Sequence, residues 1–345
     1  MPGSDWCKTV FWLILLGAAA QGWTREGVSG KNETEMIQTP MGTPQVGLET
    51  YELSNGMHVI LQVDRKLPIV HINLCFHVGS KDEERGRFGF AHLFEHMMFQ
   101  GSKNADEQYI GLVEKAGANL FEGGVNGNTE EDRTNYFETV PSGNLEYILW
   151  LESDRVATLP GAITQKKFDA QREVVKNEIR QTQFSRPYGR APALIYENLF
   201  PSGHPYAHPP IGNEKDLAAA SLDDIKEFFR TYYTPSNLSL VIAGDFDPAE
   251  AKNLVEKYFA GIPPGPPLQH VKRLVPEVSG PTILEVKDRV SQDRSYMAWV
   301  TPAFFEPDDA ELDLIAIMLA GLVLYYASHL FSNVPASDTP NTPAA

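Results

Sequence analysis

The stretch YELSNGMHVILQVDRKLPIVHINLCFHVGS, Tyr51–Ser80, decides the fold. It contains two runs, YELSNGMHVILQV and PIVHINLCFHVGS, in which apolar and polar residues alternate around turn residues, the pattern of two antiparallel strands. From Arg87 to Phe99 the period changes, with Phe90, Leu93, Phe94 and Met97 recurring at helical spacing. Asn104–Ala116 reads as a second helix stopped by Gly117. ANLFEGGVNGNTEEDRTNYFETV is a strand, a Gly-rich turn and a strand, after which Asn144–Ala157 and Thr164–Gln183 are helical. Strands and helices segregated in this order predict an α+β fold: an antiparallel sheet with helices packed on one face.

From Ser221 the chain continues as a helix (LDDIKEFFRTYY), a buried strand (NLSLVIAGDF) and another helix (PAEAKNLVEKYFAGI). The Pro-dense segment 263–280 reads as a linker between a domain over 48–262 and a second unit. That second unit, 281–321, begins as the first did, with strands PTILEVKDR and QDRSYMAWVTP and a helix from Asp308. The organisation is one full repeat plus the start of a second, followed by a divergent tail over 322–345.

With 42% hydrophobic and 21% charged residues the composition is that of a globular protein. The net charge of −16 argues against nucleic acid, because so acidic a surface releases no counterions from a phosphate backbone. Lys8, the apolar run TVFWLILLG and the small residues Ala18–Ala20 form the pattern of a signal peptide over 1–20, followed by a polar leader over 21–47. The run is too short to span a bilayer. Cys7 would leave with the signal, so no disulfide framework is expected, and Cys75 reads as a core filler. Asn32-Glu-Thr and Asn237-Leu-Ser fit the glycosylation acceptor pattern.

Chemistry concentrates in GFAHLFEHMMFQGS, Gly89–Ser102. On a helix His92 and His96 project from one face about one turn apart, a spacing that suits two imidazoles on one metal ion. Glu95 lies beside them, placed to hydrogen-bond a water on that metal without ligating it, in the inverted order H-x-x-E-H of inverzincins. The helix is apolar nearly all round and therefore buried, so its polar side chains need partners, and a metal satisfies all three. A catalytic zinc site needs a third protein ligand and an open position. AQREVVKNEIRQ offers Glu173 and Glu178, which face different directions; Val174 and Val175 mark an apolar face, and Glu178 falls one turn beyond them on it.

Five motifs in order, HLFEH, VNGNTEEDRTNYFETVP, FDAQREVVKNEIRQ, HPYAHPPIG and YYTPSNLSLVIAGDFDP, resemble the pitrilysin (insulinase-like) family of zinc metallopeptidases, specifically its shorter bacterial-type members. The resemblance implies the fold of mitochondrial-processing-peptidase-like metallohydrolases, with one zinc ion per chain. It implies His92, His96 and Glu178 as ligands and Glu95 as the general base. A literal count from the histidines of classical members lands nearer Glu173, whereas local motif matching puts Glu178 in the ligand position. Gln171 stands where many members carry a glutamate. Asn126, Gly127, Asn128 and Thr129 resemble the strand beside which an extended peptide substrate lies; a simple β-turn is the competing reading of that segment.

Family members close two related halves around the substrate, the second donating an arginine and a tyrosine. Here the resemblance runs through DAELDLIAIMLAG and stops at about Gly321, and nothing around Tyr325 and Tyr326 matches the missing tyrosine motif. Two functions are therefore expected in competition. One is a zinc metalloendopeptidase acting on short or unfolded polypeptides after export to the periplasm or extracellular space. The other is a non-catalytic or incomplete subunit that needs a homologous partner for the second half. The uncharged run from Leu314 to Ala327, extended to Phe331, is the basis of a further alternative in which the tail is a membrane anchor.

Overall fold

Alternation in the strands translates directly into one buried and one half-buried sheet face. The computed structural model describes residues 47–106, 108–120, 123–268, 276, 280–303 and 306–319, together with strands at 16–17 and 33–36. Gly22–Glu277 forms one compact unit, and Met1–Gln21 with Val278–Ala345 forms another.

In the larger unit, strands β2 (Glu33–Met36), β3 (Gly47–Glu52), β4 (His58–Val63), β5 (Ile69–Phe76), β6 (Val125–Thr129), β7 (Thr134–Pro141) and β8 (Leu238–Gly244) make one sheet. Their order across it is β2-β3-β4-β8-β5-β7-β6. Every neighbouring pair is antiparallel except β4 and β8, which run parallel with His58 opposite Ser239. The β3–β4 turn is made by Asn55-Gly56, with Gly56 in the left-handed region that a side chain disfavours. Val70, Ile72, Leu74 and Phe76 of β5 are fully buried, while His71, Asn73 and Cys75 between them line the half-buried face. Cys75 is therefore not in the main core, contrary to expectation; burial still pushes its thiol pKa up. Asn237 is 2% exposed and donates to the Tyr232 carbonyl at 2.9 Å, so its acceptor pattern is closed to a glycan in the folded chain.

Onto the buried face pack α1 (Phe90–Met98), α3 (Leu145–Ala162), α7 (Leu222–Tyr232) and α8 (Pro248–Phe259). Phe94 and Phe76 meet over Tyr233, with ring centroids 4.2 and 4.5 Å from it. Helices α2 (Tyr109–Lys115), α4 (Gln165–Ile179), α5 (Ala191–Leu199) and α6 (Glu214–Ala219) complete the unit. Two helices start later than their periodicity suggests. Gly89, at φ 98°, delays α1 to Phe90. Asn104 spends its backbone and side-chain N–H groups on Asp154 of α3, at 3.1 and 2.6 Å, which holds that segment out of α2.

The smaller unit shows β1 (Leu16–Gly17) paired in parallel with β9 (Val300–Thr301) and a helix over 309–319. The strand expected over PTILEVKDR is not formed, and of QDRSYMAWVTP only β9 is. A strand exists through its ladder, and among the described residues 281–299 find no pairing edge; Ile283 is 88% exposed. No described helix is long and apolar enough to cross a membrane, and the tail beyond 319 lies outside the described residues.

Candidate metal centre

The site is assembled where α1 crosses α4 beneath the edge strand β6. On α1, Phe90, Leu93, Phe94, Met97 and Met98 are buried in the core, which turns His92 and His96 toward α4. Their rings sit edge to face with centroids 4.8 Å apart. Helix α4 starts at a Thr164 cap whose hydroxyl accepts from the Lys167 N–H. Phe168, Gln171, Val175 and Glu178 then recur at i, i+3, i+7 and i+10 along its inward stripe. Glu178 Oε2 lies 3.5 Å from His96 Nε2 and 3.9 Å from His92 Nε2. One donor atom from each of the three residues falls within 4.8 Å of the others.

Glu178 thus lies beside both histidines, although one reason for expecting it there does not hold. Val174 is exposed and does not mark the inward face; Val175 does. Glu173 points to solvent and pairs with Lys176 at 2.8 Å, which removes it from the site.

Glu95 is 8% exposed, lodged between α1 and β6. Its Oε2 accepts from the Thr129 hydroxyl at 2.6 Å. A Cβ on Gly127 would stand 3.1 Å from Glu95 Cγ and 3.2 Å from its Oε1, so the absent side chain makes room for the carboxylate. Strand alternation divides the predicted segment Asn126–Thr129: Gly127 and Thr129 approach Glu95, while Asn126 and Asn128 are exposed. Asn126 Oδ1 accepts from Gly127 N–H at 2.9 Å, and Asn128 accepts from Asn135 at 3.0 Å.

Burial, aided by the field of His96, lowers the His92 pKa to about 4 and keeps that ring neutral. Burial works the same way on His96, but the bond to Glu178 and the charge of Glu95 outweigh it and raise that pKa. The bond to His96 in turn lowers Glu178. Burial raises Glu95 against the opposing bond from Thr129.

This donor set fits zinc. Tetrahedral ligands about 2.0–2.1 Å from zinc stand about 3.3 Å apart, so the separations of 3.5 and 3.9 Å need small closure and the widest, within 4.8 Å, a larger one that side-chain rotation can supply. One imidazole is already neutral and the carboxylate is ionised, as ligands must be.

A family model described as insulinase (peptidase family M16) matches residues 58–200, and one described as peptidase M16 inactive domain matches 219–336. The chain belongs to peptidase family M16. The second match runs past Gly321, where the resemblance was expected to end. Zinc protease PqqE of Helicobacter pylori is 28% identical over 280 residues, 79% of this chain and 60% of that protein. Probable zinc protease PqqL of Escherichia coli is 29% identical over 63% of this chain and 23% of that protein. Among solved structures, a protease from Helicobacter pylori has a TM-score of 0.59 at 27% identity, covering 67% of this chain and 54% of that one. The first half of the periplasmic protease PqqL from Escherichia coli has a TM-score of 0.58 at 26% identity, covering 65% and 48%. This M16 chain therefore spans 60% or less of the relatives named here.

Sequence reasoning left part of the site's surroundings unassigned. HPYAHPPIG was visible as a motif without a role; the structure packs it against the start of α1. The Thr129 hydroxyl was expected beside a substrate, and it holds Glu95.

Proposed function

We propose that this chain is a zinc-dependent metalloendopeptidase that hydrolyses peptide bonds of short or unfolded polypeptides. The observation that carries the reading is the convergence of His92, His96 and Glu178 within 4.8 Å, with Glu95 beside them on the same helix. His92, His96 and Glu178 would hold one zinc ion. When bound, zinc supplies a Lewis acid that polarises the scissile carbonyl and makes water more acidic. Glu95 takes the proton from the attacking water and returns it to the leaving amine. Thr129 fixes one carboxylate oxygen and leaves Oε1, under Gly127, to meet the water. An extended substrate adds to the outer edge of β6, which pairs with no second strand among the described residues, with its backbone paired to the strand. Export to the periplasm or extracellular space belongs to the same reading.

A second reading is a non-catalytic or incomplete subunit that works with a homologous partner. Zinc content and cleavage of quenched peptides, measured for the chain and for Glu95→Gln, separate the two. Zinc bound at one per chain with cleavage lost in Glu95→Gln supports the peptidase. Zinc bound without cleavage assigns the incomplete subunit. Unchanged metal content in His92→Ala refutes the site.

A further inference from the structure

The N-terminal end of α1 is gripped by residues that the proposed chemistry does not use. The Glu83 side chain is fully buried, and its two oxygens accept from Gly89 N–H at 2.8 Å and Ala91 N–H at 2.7 Å. His208, also buried, sets Nε2 3.1 Å from Glu83 Oε2 and 3.0 Å from the Ser80 carbonyl oxygen. Both neighbours are acceptors, so Nε2 carries the proton and donates to them. The His208 ring stacks on Phe88 with centroids 3.8 Å apart. Phe88 N–H donates to Asp216 at 3.2 Å. The backbones touch as well: a Cβ on Gly212 would stand 2.3 Å from the Phe88 carbonyl oxygen and 2.4 Å from Gly89 Cα.

This grip bears on the metal ligands because of what His92 lacks. A ligating histidine ordinarily has its ring oriented by a bond from the nitrogen that faces away from the metal. His92 Nδ1 is buried with no hydrogen-bond partner among the described residues. With no hydrogen bond from Nδ1, the ring's direction depends on its packing against His96 and on the backbone, and the N–H of the preceding residue, Ala91, is the one Glu83 holds.

We propose that Glu83 and His208 are positioning residues for the metal centre: His208 fixes the Glu83 carboxylate, Glu83 fixes the first turn of α1, and that turn aims the imidazoles. The proposal rests on the site reading above, but its test does not depend on it alone. The full chain is titrated with cobalt(II), whose visible spectrum reports ligand geometry, and amide hydrogen exchange along α1 is followed in the metal-free chain. His208→Leu and Glu83→Gln weaken cobalt binding about 10- to 100-fold, as loss of a ligand-orienting partner does. They also alter the spectrum and speed exchange in the first turn of α1. His208→Gln, whose amide nitrogen can take the place of Nε2, restores most of both. Val255→Ala, a core truncation on α8, lowers stability without either effect.

Should His208→Leu not fold, the nearly isosteric Glu83→Gln decides by the same readouts. Exchange in α1 no faster than in Val255→Ala, or cobalt affinity within threefold of the parent, overturns the proposal. If the parent chain binds no cobalt, the metal-site reading fails, and the exchange comparison still judges the grip.

Discussion

Replacing Gly127 by alanine adds one carbon where the site has no space for it. Gly127 does not occupy the left-handed region, so alanine adopts its backbone without strain and the effect is purely steric. The new Cβ would lie 3.1 Å from Glu95 Cγ and 3.2 Å from both Glu95 Oε1 and Phe99 Cε2. Carbon contacts relax to about 3.5–4.0 Å, so Glu95 or β6 must retreat by about half an ångström. The carboxylate is tethered to Thr129 at 2.6 Å, and retreat stretches that bond. A misplacement of about 1 Å can cost about 100-fold in rate, which scales to about tenfold here. Overpacking costs about 1–3 kcal/mol of stability, offset by about 0.4–1 kcal/mol from a stiffer unfolded chain. The expected result is a roughly tenfold fall in kcat/KM for a quenched peptide, unchanged zinc content and a small fall in Tm. Cleavage within twofold of the parent, with zinc retained, would refute the view that β6 positions the base.

Three further outcomes are expected. Glu178→Gln loses most bound zinc on dialysis and Glu173→Gln loses none, as measured by metal analysis, because only Glu178 faces the histidines. Arg155 is buried against Glu152, with fully buried Glu138 close by, so Arg155→Met strands two carboxyls and destabilises by about 3–5 kcal/mol in urea unfolding at pH 7. Burial raises the Asp82 pKa from 3.8 to about 6. The folded chain therefore holds that proton more tightly than the unfolded one, and the associated stability is full below pH 3.8 and lost as the pH rises to about 6. The advantage of Asp82→Asn over the parent should grow across that window by about 3 kcal/mol, and a flat difference between pH 4 and 6.5 refutes it.

Where periodicity and packing coincide, the sequence is sufficient. Strands β4 and β5 and helix α1 follow from alternation and helical spacing because their apolar residues are the ones buried. His92, Glu95 and His96 are legible for the same reason: local helical geometry sets their relation. Glu178 comes from a different helix, and a pattern confined to α4 misidentified the inward face at Val174, since crossing geometry decides which stripe meets α1. Helices α5 and α6 carry too little apolar contrast over 9 and 6 residues to announce themselves. The parallel register of β4 and β8 is set by residues about 180 positions apart, which no short window contains. The grip on α1 by His208 is equally non-local.

The placement of β8 has a consequence for synthesis. The strand made last occupies the middle of the sheet, between β4 and β5, so the earlier strands stay split into β2-β3-β4 and β5-β7-β6 until residue 244 has left the ribosome. A nascent chain halted at 237 already contains His92, Glu95, His96 and Glu178, yet lacks the strand that joins the two parts of their platform. Convergence of His92, His96 and Glu178 on a finished platform is thereby tied to completion of the domain.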